Sequence, residues 1–308
     1  MIRVRDLRID YDNVCAVSDV SFEVQPGEVC GLIGPNGAGK TSTMRALTGL
    51  LEPTYGEIEM AGVDMREHPR QACRSVGFMP DAPPMYDDLL CWEFLDLFAA
   101  SYGLTRERRP EVIAERLDQV GLTGKREAPI ATLSRGMRQR LMLAKTLLPD
   151  PQVLILDEPA SGVDPQGRID LKNVIRGLSA SGKSVLVSSH ILSEMTEFCT
   201  SVAVMERGRL VASGSIDALR QRVMGGLTLA IQVVGSDDDL MKRLEQEPLI
   251  QEVRLSEGRV KARFDGTQDD AADLLARLVG AGIRVRSFAP MQEGLEELFL
   301  KIGARELS

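Results

Sequence analysis

Gly34-Pro35-Asn36-Gly37-Ala38-Gly39-Lys40-Thr41 is a full phosphate-binding P-loop, and its flanks supply the setting that its chemistry requires. Upstream, Val29-Cys30-Gly31-Leu32-Ile33 reads as a short buried strand; downstream, Ser42-Thr43-Met44-Arg45-Ala46-Leu47 reads as the first turns of a helix. Glycines at 34, 37 and 39 permit close backbone approach and positive φ, so successive N–H groups and the helix N-terminus can converge on a phosphate. Lys40 then reaches the outer phosphates and Thr41 offers a hydroxyl to Mg²⁺. The motif implies nucleoside triphosphate binding within an α/β fold.

A second strand supports that reading. Val153-Leu154-Ile155-Leu156 is a continuous apolar run ending in Asp157-Glu158, the form expected of a central parallel strand whose C-terminal end faces the nucleotide. Asp157 is placed to hold Mg²⁺, and Glu158 to orient or deprotonate the water that attacks the terminal phosphate. Between the two lies Leu133-Ser134-Arg135-Gly136-Met137-Arg138-Gln139-Arg140, running into a helical pattern. On residue chemistry alone Ser134 reads equally as the N-cap of that helix.

These motifs together resemble the nucleotide-binding subunits of ATP-binding cassette (ABC) transporters, over about residues 3 to 220. That family's signature has the form Leu-Ser-Gly-Gly-Gln; Ser134 and Gly136 match it, while Arg135 and Met137 depart. The resemblance implies that Ser134, Gly136 and the amides beside them contact ATP held by a second copy. It implies an adenine-stacking role for Tyr11, whose alternative is an ordinary core or surface tyrosine. Ser161-Gly162-Val163-Asp164 matches the D-loop, whose acid helps join the two copies, and His190 in Val187-Ser188-Ser189-His190 matches the switch histidine at the terminal phosphate. After Ser75-Val76-Gly77-Phe78-Met79-Pro80 the family places a Gln, and here the residue is Asp81. An acid there either holds Mg²⁺ with altered geometry or points away, since it adds negative charge beside Asp157 and Glu158.

The family's fold implies an α/β P-loop core with an antiparallel N-terminal β-subdomain and a helical insert over about 82–132. Leu89, Leu90, Trp92, Phe94, Leu95, Leu97 and Phe98 put apolar residues on nearly every face of one insert helix, either as a small core or as a partner surface. The expected domains are 1–222 and 223–308, joined by a linker over Arg220 to Gly226.

The second domain has a different rhythm. Leu227, Leu229, Ile231 and Val233 alternate as a half-buried strand, a helix follows from Asp238 to Gln246, and Val253, Leu255, Val260, Ala262 and Phe264 alternate around a turn at Glu257-Gly258. A helix over Asp270 to Val279 and a strand over Ile283 to Phe288 complete the order of a ferredoxin-like α+β domain. Leu295, Leu298, Phe299 and Ile302 mark an amphipathic closing helix that either packs on its own domain or faces a partner.

Composition limits the remaining classes. A net charge of -8 and a pI near 5.1 argue against a broad nucleic-acid footprint, which needs clustered Lys and Arg. No apolar run approaches the roughly 18 residues that span a bilayer. The cysteines, at 15, 30, 73, 91 and 199, lack C-x-x-C spacing and read as reduced apolar residues. The whole resembles the ATPases of ABC-2-type exporters. That resemblance implies ATP and Mg²⁺ as cofactors, multi-span membrane permeases and a second copy as partners, and a cytoplasmic place on the inner membrane face. The rival is an ABC ATPase acting on nucleic acid or a ribosome; a small-molecule kinase is a third class.

Overall fold

The computed structural model describes all residues except 13, 82–84, 192–194, 196–197, 224–226, 257 and 292–308. The chain divides into two compact units, Met1–Ile216 and Asp217–Ser308.

The first unit begins with β1 (Ile2–Tyr11) and β2 (Val14–Val24), an antiparallel pair. Next come β3 (Val29–Ile33), α1 (Lys40–Leu47), β4 (Tyr55–Met60) and β5 (Val63–Asp64). Strands β2-β1-β4-β5 form an antiparallel sheet. Alternation decides its buried face: Ile2, Val4, Leu7 and Ile9 of β1 enter a core with Leu32, Met44, Leu47, Ile155 and Met205, while Arg3 pairs across the strands with Glu23 and Glu59.

The chain continues through α2 (Pro69–Arg74), β6 (Val76–Met79), α3 (Cys91–Ser101), α4 (Arg109–Gln119), α5 (Arg135–Leu147), β7 (Val153–Leu156) and α6 (Pro165–Ala180). It then forms β8 (Ser184–Ser189), β9 (Ser201–Glu206) and β10 (Arg209–Ser215). The second sheet runs β10-β9-β3-β8-β7-β6, parallel except for the β9–β10 pair. Every residue of β3, β7 and β8 is buried, which is why β7 reads as an unbroken apolar run, while β8 buries Ser184, Ser188 and Ser189 around an apolar centre. The strand order puts β8 between the P-loop strand and the acid-bearing strand. Parallel pairing brings all three C-terminal ends to one edge.

The expected helical insert is present as α3, α4 and the short turns Thr123–Lys125 and Ile130–Thr132. Cys91, Phe94, Leu95 and Ala99 of α3 are fully buried, whereas Leu97 and Tyr102 are exposed. One face of this apolar helix is therefore core and another is open. Residues 82–84 of the expected insert lie outside the described residues.

The second unit contains strands Leu227–Val233, Ile250–Ser256, Arg259–Phe264 and Val285–Met291, with helices Asp237–Leu244 and Gln268–Gly280. Its antiparallel sheet takes the spatial order second, third, first, fourth, the arrangement of a ferredoxin-like split βαβ unit. Leu229, Ile231, Val260, Ala262 and Phe264 pack on Leu240, Leu244, Leu274 and Leu278 of the helices. Part of the expected linker is helical. Arg220 to Val223 close a helix, Ile216–Val223, built of good helix formers, while Gly225 and Gly226 lie outside the described residues. The expected closing helix, with Leu295, Leu298, Phe299 and Ile302, also lies outside them, as does Glu257. Among the described residues no helix is long and apolar enough to cross a membrane.

Candidate functional site

The P-loop turns from β3 into α1 through two glycines in the left-handed region, Gly37 at φ 82° and Gly39 at φ 100°. Gly34 answers a different need: a Cβ there would collide with the Met205 backbone oxygen. The N-cap of α1 is Gly39, which makes no side-chain cap to the amides of the first turn. Lys40 is buried, and its Nζ donates to the carbonyls of Gly34 at 2.6 Å and Pro35 at 3.2 Å. Burial pushes its pKa below the ordinary lysine value, against the opposing pull of Glu158 and Asp157.

Both acids sit just past β7. Asp157 is buried; its Oδ1 accepts a 2.6 Å hydrogen bond from Ser188 Oγ, and its Oδ2 accepts one from Thr41 Oγ1 at 3.3 Å. Glu158 adopts φ 47°, a left-handed conformation that costs an L-residue with a long side chain about 1–2 kcal/mol. Its N–H donates to Ser188 Oγ at 2.8 Å, and its carboxylate lies 2.9 and 3.1 Å from His190 Nδ1. An ionised carboxylate only accepts, so Nδ1 carries the proton in this contact. The Asn36-to-Ser42 loop, Asp81, Asp157, Glu158, Ser161 and His190 line one cleft of about 520 Å³.

Other expected residues stand around this cleft. Tyr11 is 40% exposed at the end of β1, and its hydroxyl lies 3.3 Å from Ser42 Oγ, which places its ring beside the loop. Asp81 lines the cleft, yet among the described residues no three His, Cys, Asp or Glu groups converge as a metal cage. Ser134 and Gly136 are absent from the lining. Ser134 is exposed and accepts the Met137 N–H at 3.3 Å as the N-cap of α5; Gly136 is buried where a Cβ would stand 3.0 Å from Val163 Cγ1. Asp164 likewise caps α6 by accepting the Gly167 N–H at 3.2 Å. Arg135, one of the departures from the signature, lies against the D-loop, since a Cβ on Gly162 would meet its guanidinium at 2.5 Å.

The residue that sequence reasoning missed is Ser188, which touches both acids. Its signal was one hydroxyl within Val187-Ser188-Ser189-His190, indistinguishable from Ser189 without the strand register. The five cysteines are free thiols, and burial raises Cys30 to about 12, away from thiolate chemistry.

Residues 17–161 match the family described as ABC transporter, and residues 214–302 match the C-terminal domain of ATP-binding protein DrrA1-3-like. The chain is 35% identical over 297 residues to a Nod factor export ATP-binding protein I of Burkholderia pseudomallei (strain 1710b), covering 96% of this chain and 95% of that one. It is 28% identical over 309 residues to the linearmycin resistance ATP-binding protein LnrL of Bacillus subtilis (strain 168), covering 100% and 99%. A solved ATP-binding subunit of an ABC transporter superposes with a TM-score of 0.64 at 32% identity, covering 72% of this chain and 92% of that one.

Proposed function

The chain belongs to the ABC transporter family as an ATP-binding subunit, and from that premise we propose that it drives export by hydrolysing ATP in a site completed by a second copy. The observation that carries the reading is the cleft itself, which gathers the P-loop, both acids and His190 but leaves Ser134 and Gly136 outside. Export is supported by the names of relatives matched over nearly the whole chain and by the C-terminal match; those names give no support to a role on nucleic acid.

In this reading the P-loop amides and Lys40 receive the phosphates, and Lys40 exchanges the Gly34 and Pro35 carbonyls for phosphate oxygens. Tyr11 stacks on the base. Thr41 Oγ1 and Asp157 Oδ2 are hard oxygens 3.3 Å apart on the same cleft, and they fit Mg²⁺, which takes few protein ligands and keeps waters and phosphate oxygens. When bound, Mg²⁺ supplies charge neutralisation at the phosphates. Asp81 is a further oxygen on the cleft wall. Glu158 orients the attacking water and accepts its proton. His190 Nδ1–H donates to Glu158, which leaves Nε2 for the terminal phosphate, and Nε2 must carry a proton as well to donate there.

Ser134 and the amides at the start of α5 would close the second copy's cleft, with Asp164 and the rest of the D-loop between the copies. Hydrolysis then releases the pair, and separate multi-span membrane subunits convert closing and opening into transport at the cytoplasmic face. Glu158→Gln tests this: with ATP it is expected to lose turnover and to elute as a dimer in gel filtration. A variant that hydrolyses normally, or stays monomeric with ATP, would sink the assignment.

A further inference from the structure

We infer that Ser188 is a positioning residue for hydrolysis, holding both acids of β7 in working geometry without touching the nucleotide cleft. This rests on the reading of Asp157 and Glu158 given above. Ser188 is fully buried near the end of β8, the strand between the P-loop strand and the acid strand. Leu156 pairs with Val187 in parallel register, so the next residue on each strand is Asp157 and Ser188.

Hydrogen-bond polarity fixes what the hydroxyl does. An amide N–H only donates and an ionised carboxylate only accepts. Ser188 Oγ therefore accepts from Glu158 N–H at 2.8 Å and donates to Asp157 Oδ1 at 2.6 Å. The donated bond is short and charge-assisted, and it orients the carboxylate so that Oδ2 faces Thr41. The accepted bond restrains Glu158 in a left-handed conformation that its side chain disfavours, and from which its carboxylate reaches His190. One proton and one lone pair thus divide Asp157 into a held oxygen and a cleft oxygen, and set where Glu158 points. Alanine would take this partner from the buried Asp157 Oδ1 and the partly buried Glu158 N–H while preserving the strand. Threonine keeps the hydroxyl.

The full chain with Ser188→Ala, Ser188→Thr and Glu158→Gln is compared for ATP turnover, thermal melting and amide hydrogen exchange of the peptide containing Glu158. Ser188→Ala is expected to lower kcat about 10–100-fold with KM for ATP little moved, as loss of a partner behind the reacting groups typically does. It should also speed exchange at Glu158, and Ser188→Thr should restore both. Unchanged kcat with unchanged Glu158 protection in Ser188→Ala overturns the inference, as does a lowered melting temperature with kcat intact. If the added methyl prevents Ser188→Thr from folding, the kcat and exchange results for Ser188→Ala decide alone. Turnover retained by Glu158→Gln would instead overturn the acid assignment.

Discussion

Removing the hydroxyl of Ser134 separates the capping role that the structure shows from the role proposed for it toward a second copy. Its Oγ accepts the Met137 N–H as the N-cap of α5, which leaves its own proton free to donate outward from an exposed position. Ser134→Ala therefore loses a cap, which costs about 1 kcal/mol. In a unit of this size that is a drop of about 2–4 °C in melting temperature. The same change removes the donor proposed to reach the other copy's ATP, where loss of one preorganised donor typically costs about 10²–10³ in rate, or about 2.7–4 kcal/mol. The first effect cannot produce the second, because a domain stable by about 5–15 kcal/mol stays folded after losing one. Ser134→Gly makes the distinction sharp, since glycine at an N-cap costs only a few tenths of a kcal/mol. Phosphate release and melting temperature are to be measured for both variants. Turnover is expected to fall equally in Ala and Gly, although their melting temperatures differ. Wild-type turnover in Ser134→Gly would refute the reasoning and leave Ser134 as a cap.

Tyr11→Ala is expected to raise KM for ATP by about 5–150-fold, the equivalent of about 1–3 kcal/mol of base stacking, while Tyr11→Phe loses only the contact to Ser42; steady-state kinetics at fixed Mg²⁺ checks both. Asp81→Gln is expected to shift the Mg²⁺ concentration that supports half-maximal turnover. An unchanged Mg²⁺ titration with unchanged stimulated turnover removes Asp81 from the site. Lys183 donates to Asp150 at 2.8 Å and holds its carboxyl below the ordinary range. A depressed acid stabilises the fold above its unfolded value and loses that contribution as pH falls through its native one. Lys183→Met should therefore weaken the first unit at neutral pH and lose less stability on acidification, as read by thermal melts across acid pH; identical acid limbs would count against the pair.

Much of the fold was legible because its signals are local. The alternation of Val260, Ala262 and Phe264 needs only the pleat of a strand, and the apolar run before Asp157 needs only burial on both faces of a sheet. The linker expected over Arg220 to Gly226 is helical as far as Val223, a run of helix formers that the neighbouring Gly225 and Gly226 obscured in the sequence. Ser134 carried two readings in the sequence, signature residue and helix cap, whereas Asp164 carried only the D-loop reading. The structure shows both acting as caps and both outside the cleft lining.

By itself the sequence determined that Gly34 to Thr41 form a P-loop between a strand and a helix and that an acid pair ends a buried strand, because loop glycines and strand burial are written in adjacent residues. Only the tertiary structure decided which strand lies between them. Parallel strands are joined by long crossovers, so neighbours in the sheet are not neighbours in the chain, and no local pattern reports that β8 separates β3 from β7. That placement makes Ser188 the link between the acids and sets His190 against Glu158. It also brings Thr41 to Asp157 across more than a hundred residues of chain.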